Sequence, residues 1–263
     1  MTGAHRVLAL ASREFRGFLR LPLGYAVLAV YALVNGLIVV TLLYLFSDQL
    51  VRIAQQAHVA MAGRPVVQVQ VSVVTPYLLN CAALIIFVVP FLTMRTLAEE
   101  KRSRSLELLV SYPLSAWQIV AGKFLGVMAF IGLMLCINVL HLVVIALVTT
   151  ANPVPMIGGL VGLALLAAAL VAMGLFVSSL SMGQVEAAVL TLGLFLVMVM
   201  SGQISRGGDG VIERLLSTIS PLYQFEDFGR GVLALENALF FGAALCLFLA
   251  LTLRGVDLLK WRG

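Results

Sequence analysis

Six apolar runs constrain this chain more than anything else it carries. They cover about residues 23–46, 75–94, 117–148, 154–180, 185–203 and 232–253. A run of roughly 20 apolar residues crosses the hydrocarbon core of a bilayer as a helix. Lipid offers no water to backbone N–H and C=O groups, so each run must satisfy its own hydrogen bonds internally. The chain is 62% hydrophobic and only 11% charged, with a mean hydropathy of +1.08, which excludes an ordinary soluble domain. The expected architecture is all-α and polytopic, with six transmembrane helices in a single transmembrane domain over 1–263. The third run exceeds what a bilayer needs and is expected to tilt or project into water.

Basic residues orient the spans. The N-terminus, 95–123, 181–185 and the C-terminus hold twelve Lys and Arg, whereas the opposite segments hold five: Arg52, Arg64, Arg206, Arg214 and Arg230. Positive charge is retained on the cytoplasmic side, which places both termini there. The same asymmetry explains the pI of about 9.4 without nucleic acid. The three cysteines, Cys81, Cys136 and Cys246, lie inside apolar runs and are read as small core residues.

The N-terminus is not a signal peptide: the apolar run after it is too long and ends in no cleavage pattern. On a helix over 5–20, Leu8, Ala11, Phe15 and Phe18 share one face, with Arg6, Arg13, Arg16 and Arg20 opposite. That pattern suits a helix lying in the membrane interface. Leu21-Pro22 breaks it, and Pro22 fits the first turn of the next helix. In 47–74, the stretch "VVQVQVSVV" alternates with period two and suggests a short extended segment. In 204–231, "GGDG" marks a turn and "VIERLLSTIS" a short amphipathic helix before Pro221. A half-inserted helical hairpin is expected there, with Glu226, Asp227 and Arg230 at its outer rim.

Catalytic motifs are missing. Gly122-Lys123 is followed by Phe124 and lacks the upstream glycine of a phosphate-binding loop, so the chain is expected to bind no ATP itself. "GRGVLA" at 229–234 matches a dinucleotide fingerprint by chance, since no strand precedes it. His5, His58 and His141 are scattered and form no metal pattern. His141 alone is a clear ionisable group within a span; it is read as a packed, hydrogen-bonded residue rather than a proton relay. Gly122/Gly126 and Gly158/Gly162 give the small-xxx-small spacing of close helix contacts.

Against this background, residues 95–107 crowd seven charges together: Arg95, Glu99, Glu100, Lys101, Arg102, Arg104 and Glu107. Glu100 with Arg104, and Arg104 with Glu107, are spaced to support a helix. Leu106, Leu109 and Val110 give that helix an apolar edge. Pro113 ends it, and Ser115-Ala-Trp-Gln118 is a capping box for the next helix. Trp117 suits the interface, and Lys123 suits a snorkelling position. A mixed-charge helix with a greasy edge beneath the membrane has the character of a docking element.

"EEKRSRSLELLVSYPLSAWQIVAGKFLG" resembles the cytoplasmic loop of ABC-2 type transporter permeases, closest to the gliding-motility branch. "SREFRGFLRLPLGYAVL" at 12–28 resembles that branch's N-terminus, and "GLFVSSLSMGQVEAAVLT" from 174 its second cytoplasmic turn. Where the family usually carries Gly-Thr after its acidic-basic run, this chain has Arg104-Ser105. The resemblance implies a non-enzymatic permease subunit in a bacterial cytoplasmic membrane, paired with a second permease copy. It also implies a separate cytoplasmic ATPase subunit that holds ATP and Mg. Glu99–Val110 would be the coupling helix that docks this ATPase through Glu99, Glu100, Lys101, Arg102, Arg104, Leu106, Glu107, Leu109 and Val110. Gln184 and Glu186 would make a second, smaller contact. Gliding-type systems often add a membrane-anchored protein with a large periplasmic domain, which opens a mechanical role beside substrate export. The competing class is an ion- or proton-coupled secondary transporter, which would call for broken spans or paired intramembrane charges.

Overall fold

The computed structural model describes residues 3–57, 69–98, 101, 115–149, 152–205 and 210–260. Among them the chain is helical and contains no strand. The helices are α1 (Gly3–Arg20), α2 (Pro22–Ala57), α3 (Thr75–Thr93), α4 (Ala116–Thr149) and α5 (Pro153–Leu180), followed by α6 (Gln184–Ser205), α7 (Val211–Ile219), α8 (Pro221–Gly229) and α9 (Leu235–Lys260). Six of them, α2 to α6 and α9, are long and apolar enough to cross a bilayer. α2 has 36 residues, or roughly 54 Å at the α-helical rise, so several turns project beyond a ~30 Å hydrocarbon core. The projecting end is polar and carries the Asp48–Arg52 ion pair at 2.8 Å.

Local chemistry sets the starts of these helices. Pro22 opens α2 one residue after α1 ends. Asn152 caps α5 by accepting from Val154 N at 3.0 Å, with Pro153 in the first turn. The box before α4 closes both ways: Gln118 N donates to Ser115 Oγ at 3.3 Å, and Ser115 N to Gln118 Oε1 at 3.2 Å.

α5 is the central post. Two thirds (67%) of its most apolar window is buried, against 17% for α2 and α9 on the outside. Its glycines let neighbours approach closely. A Cβ on Gly159 would lie 2.2 Å from Leu78 of α3, and one on Gly162 would lie 2.4 Å from Phe228 of α8. Spans five and six are joined by the hairpin α7–α8. α8 plugs into the bundle with Phe225 and Phe228 buried, while Val211, Ile212 and Leu215 leave the apolar side of α7 exposed. At the end of α8, Glu226 pairs with Arg230 at 2.7 Å and Asn237 donates to Asp227 at 2.9 Å.

Two expectations are corrected. The described part of "VVQVQVSVV" is helical: Gln70–Val74 forms a π-helical turn that runs into α3, with Val73 and Val74 buried. Period two in a valine run does not decide the backbone, because a helix in an apolar setting must still close its own hydrogen bonds. Next, only Cys81 is buried; Cys136 and Cys246 lie on the outer surface of the bundle. α1 also reaches the bundle, through Leu10 and Ala11, while Leu8 is 62% exposed.

Candidate functional site at the base of the charged loop

α3 ends at Thr93, and the chain makes a tight turn before entering the charged loop. Thr96 N bonds to Thr93 O at 3.1 Å, and Lys101 N to Leu97 O at 3.0 Å. The second of these is a hydrogen bond of helical spacing; the expected coupling helix, Glu99–Val110, lies outside the described residues except for Lys101. A helix start leaves backbone N–H groups without partners. Here they are met from another element: Ser178 Oγ of α5 accepts from Leu97 N at 3.3 Å and from Ala98 N at 3.1 Å. Lys101 Nζ donates to the carbonyl of Ser179, the next residue of α5.

On the other side of this turn, Lys123 of α4 donates to Thr96 O at 2.6 Å and pairs with Glu14 of α1 at 3.1 Å. Its side chain is only 1% exposed. Lys123 therefore does not snorkel; it is a buried cation compensated by a carboxylate from the N-terminal helix. Gly122 and Gly126 make this possible. A Cβ on Gly122 would lie 2.7 Å from Leu10, and one on Gly126 would lie 2.5 Å from Glu14 Cβ, so α1 rests directly on the backbone of α4.

The two ends of the loop also meet. Leu97, just before it, forms a small buried cluster with Ala116 and Val120, just after it, and with Val256 of α9. Gly174 of α5 accommodates Thr93, whose Oγ1 would lie 2.4 Å from an added Cβ. Thr93–Ala98 and Lys101 are thus held by α4, α5 and α9 at the end of α3, with α1 behind Lys123.

Residues 8–254 match the model for the ABC-2 family transporter protein. The chain belongs to this family. It is a multi-pass membrane protein, and its family role is that of a permease subunit of an ABC transporter. No curated protein matches the chain.

Of the residues expected to dock an ATPase, Lys101 alone is described. Glu99, Glu100, Arg102, Arg104, Leu106, Glu107, Leu109 and Val110 lie outside the described residues. The second expected contact sits close by in the permease. Glu186 Oε2 accepts from Met182 N at 3.0 Å, pinning the turn between α5 and α6. Burial holds the Lys101 ammonium below its ordinary pKa, and the nearby Glu186 carboxylate partly offsets this. Lys101 and Glu186, placed in separate contacts from sequence, are therefore electrostatic neighbours. Met182 and Val185 beside them are exposed. Arg6, Arg13, Arg16 and Arg20 of α1 are exposed, while Phe15 and Phe18 are half-buried, with Phe18 against Phe130 of α4.

A second polar cluster lies within the spans and joins α2, α3 and α4. Asn138 Nδ2 donates to Tyr31 Oη at 2.9 Å, and its Oδ1 accepts from Tyr77 Oη at 3.3 Å. Cys81 Sγ donates to Asn35 Oδ1 at 3.0 Å, and Asn35 Nδ2 bonds to Tyr31 O at 2.8 Å. His141 borders this cluster, edge-on to Tyr77 at 6.1 Å. It is packed as expected, but its Nδ1 is buried without a hydrogen-bond partner.

Sequence reasoning missed Glu14, Ser178 and the role of Lys123. One signal was available: Glu14 is the lone acid among the four arginines of α1.

Proposed function

We propose that this chain is the membrane permease of an ATP-driven transporter, worked through its charged loop by a separate ATPase subunit. The single observation that supports this reading is the wiring of the loop base. Ser178 and Ser179 hold Leu97, Ala98 and Lys101, while Lys123, itself paired with Glu14, holds Thr96. A solvated connection would need no such anchoring. A loop that must pass force into α1, α4 and α5 does. In this reading the apolar edge, Leu106 and Leu109, enters a cleft of the ATPase, and Glu186 borders the docked surface. ATP and Mg reside on the ATPase. Two permease copies pair, with both termini in the cytoplasm of a bacterial cell. Displacement of the loop re-angles the spans around a path for substrate or, in a gliding-type assembly, drives an auxiliary membrane-anchored protein. Family membership sets aside the ion- or proton-coupled secondary transporter.

Co-purification tests the docking. A desolvated apolar anchor contributes about 2 kcal/mol or more at an interface, whereas an exposed ion pair contributes about 0–1 kcal/mol. Leu106→Asp should release the ATPase from a permease that still inserts and folds, and Arg102→Ala should weaken it slightly, mainly at low salt. Full ATPase retention by Leu106→Asp, with loss in Glu186→Lys, would move docking to the turn before α6.

A further inference from the structure

We propose that the cleft between α5, α6 and α9 holds one acyl chain of a phospholipid from the leaflet on the hairpin side. This goes beyond the ATPase-driven role and stands whether or not that role is correct.

The cleft has a volume of about 490 Å³, and every side chain lining it is apolar, including Met173, Met198, Phe240, Ala243 and Leu247. That volume falls within the roughly 300–1,000 Å³ of sites that take small molecules. Along α9 it runs from Phe240 to Phe248, eight residues and therefore about 12 Å. One leaflet of a ~30 Å hydrocarbon core is about 15 Å deep, so the cleft matches a single leaflet. Its upper end lies under the hairpin, where Ile219 and Pro221 line it. A polar notch borders that end, lined by Ser220, between those two residues, and by Gln203 and Tyr223. Apolar depth below hydrogen-bonding groups suits a chain joined to an ester and headgroup.

Size decides against a protein occupant. A transmembrane helix is about 10 Å across, and over the same length it would displace roughly twice the volume of the cleft. Thioether side chains such as Met173 and Met198 adapt to an irregular, flexible guest better than branched ones would.

Native mass spectrometry of the full-length permease after detergent washing tests this. Wild type should retain one phospholipid per chain. Ala243→Trp, which fills the cleft, should cut occupancy at least fivefold. Ala250→Trp, exposed on the same helix outside the lining, should leave it intact. If Ala243→Trp does not elute as a folded chain, Leu247→Trp at the 55%-exposed rim decides in its place. Absence of lipid in wild type overturns the proposal, as does an adduct of detergent mass (an adventitious additive only). Full retention in the filled variant also overturns it. So does disulfide cross-linking of Leu247→Cys to a second copy, in a chain carrying Cys136→Ser and Cys246→Ser.

Discussion

The permease carries two buried polar clusters, and they are built on opposite principles. The one at the loop base is ionic: Lys123 and Glu14 bring a full charge each, and Glu14 keeps 16% exposure. The one among α2, α3 and α4 is neutral, made of Tyr31, Asn35, Tyr77, Cys81 and Asn138, each at 2% exposure or less. The difference follows from where water can reach. At the end of a span, a charge that loses its partner can be rehydrated after a small movement. Within the bilayer it cannot, and intramembrane charge is costly. An ionic joint near water can break and re-form during a cycle, whereas a neutral network deep inside holds three helices in one arrangement. On the proposed function, the ionic cluster is the moving joint and the neutral one the fixed frame.

The sharpest way to break the comparison is to remove one charge. Glu14→Ala takes away the carboxylate that pairs with the buried Lys123 ammonium, which still donates to Thr96 O. Breaking a buried pair from one side costs about 3–5 kcal/mol. We expect the lower end, about 3 kcal/mol, because α1 can lift and admit water. The double variant Glu14→Leu/Lys123→Leu should recover most of that loss in denaturant unfolding, since well-packed apolar replacements often match a buried pair. A loss below about 1 kcal/mol in the single variant would contradict the assignment of Lys123 as a buried cation.

Asn138→Leu tests the frame and should cost less. It strips partners from the Tyr31 and Tyr77 hydroxyls, and hydrogen bonds between membrane helices average about 0.6 kcal/mol, with a maximum near 1.7. A loss of about 1–2 kcal/mol is expected, with ATPase docking unchanged. Were docking abolished while thermal stability held, the neutral cluster would belong to the coupling path.

How much of this was legible in the sequence depends on range. The spans follow from apolar windows, and the cap at Ser115 and the start at Pro22 follow from neighbours within four residues. The glycine pairs announced close contacts without naming the partner; Gly122 and Gly126 receive α1, and Gly162 receives α8. The site itself was not legible. Lys123 and Glu14 are 109 residues apart in the chain, and Ser178 is 80 from Ala98. A lysine near a helix end ordinarily snorkels, so local pattern pointed the wrong way until the fold supplied the carboxylate. "VVQVQVSVV" failed for the converse reason, since its period is real but the environment overrode it.

The smallest structural change should have the most selective effect. Ser178→Ala removes one hydroxyl, the acceptor for Leu97 N and Ala98 N. Hydrogen bonds of this kind contribute about 1 kcal/mol net, and the helix start can re-form part of its bonding with water. Stability should therefore fall by about 1 kcal/mol or less. The joint between the loop and α5 should nevertheless slacken, because both backbone bonds to Ser178 are lost and Lys101 to Ser179 O must carry more of the load. In reconstituted permease with its ATPase, nucleotide turnover should persist while transport per ATP falls several-fold. Ser178→Thr, which keeps the hydroxyl, should restore it. If transport and ATP turnover fall together, Ser178 supports docking of the ATPase rather than transmission from it. If neither changes, the Ser178 hydroxyl lies outside the coupling path, and the loop base is held well enough by Lys101, Lys123 and Leu97.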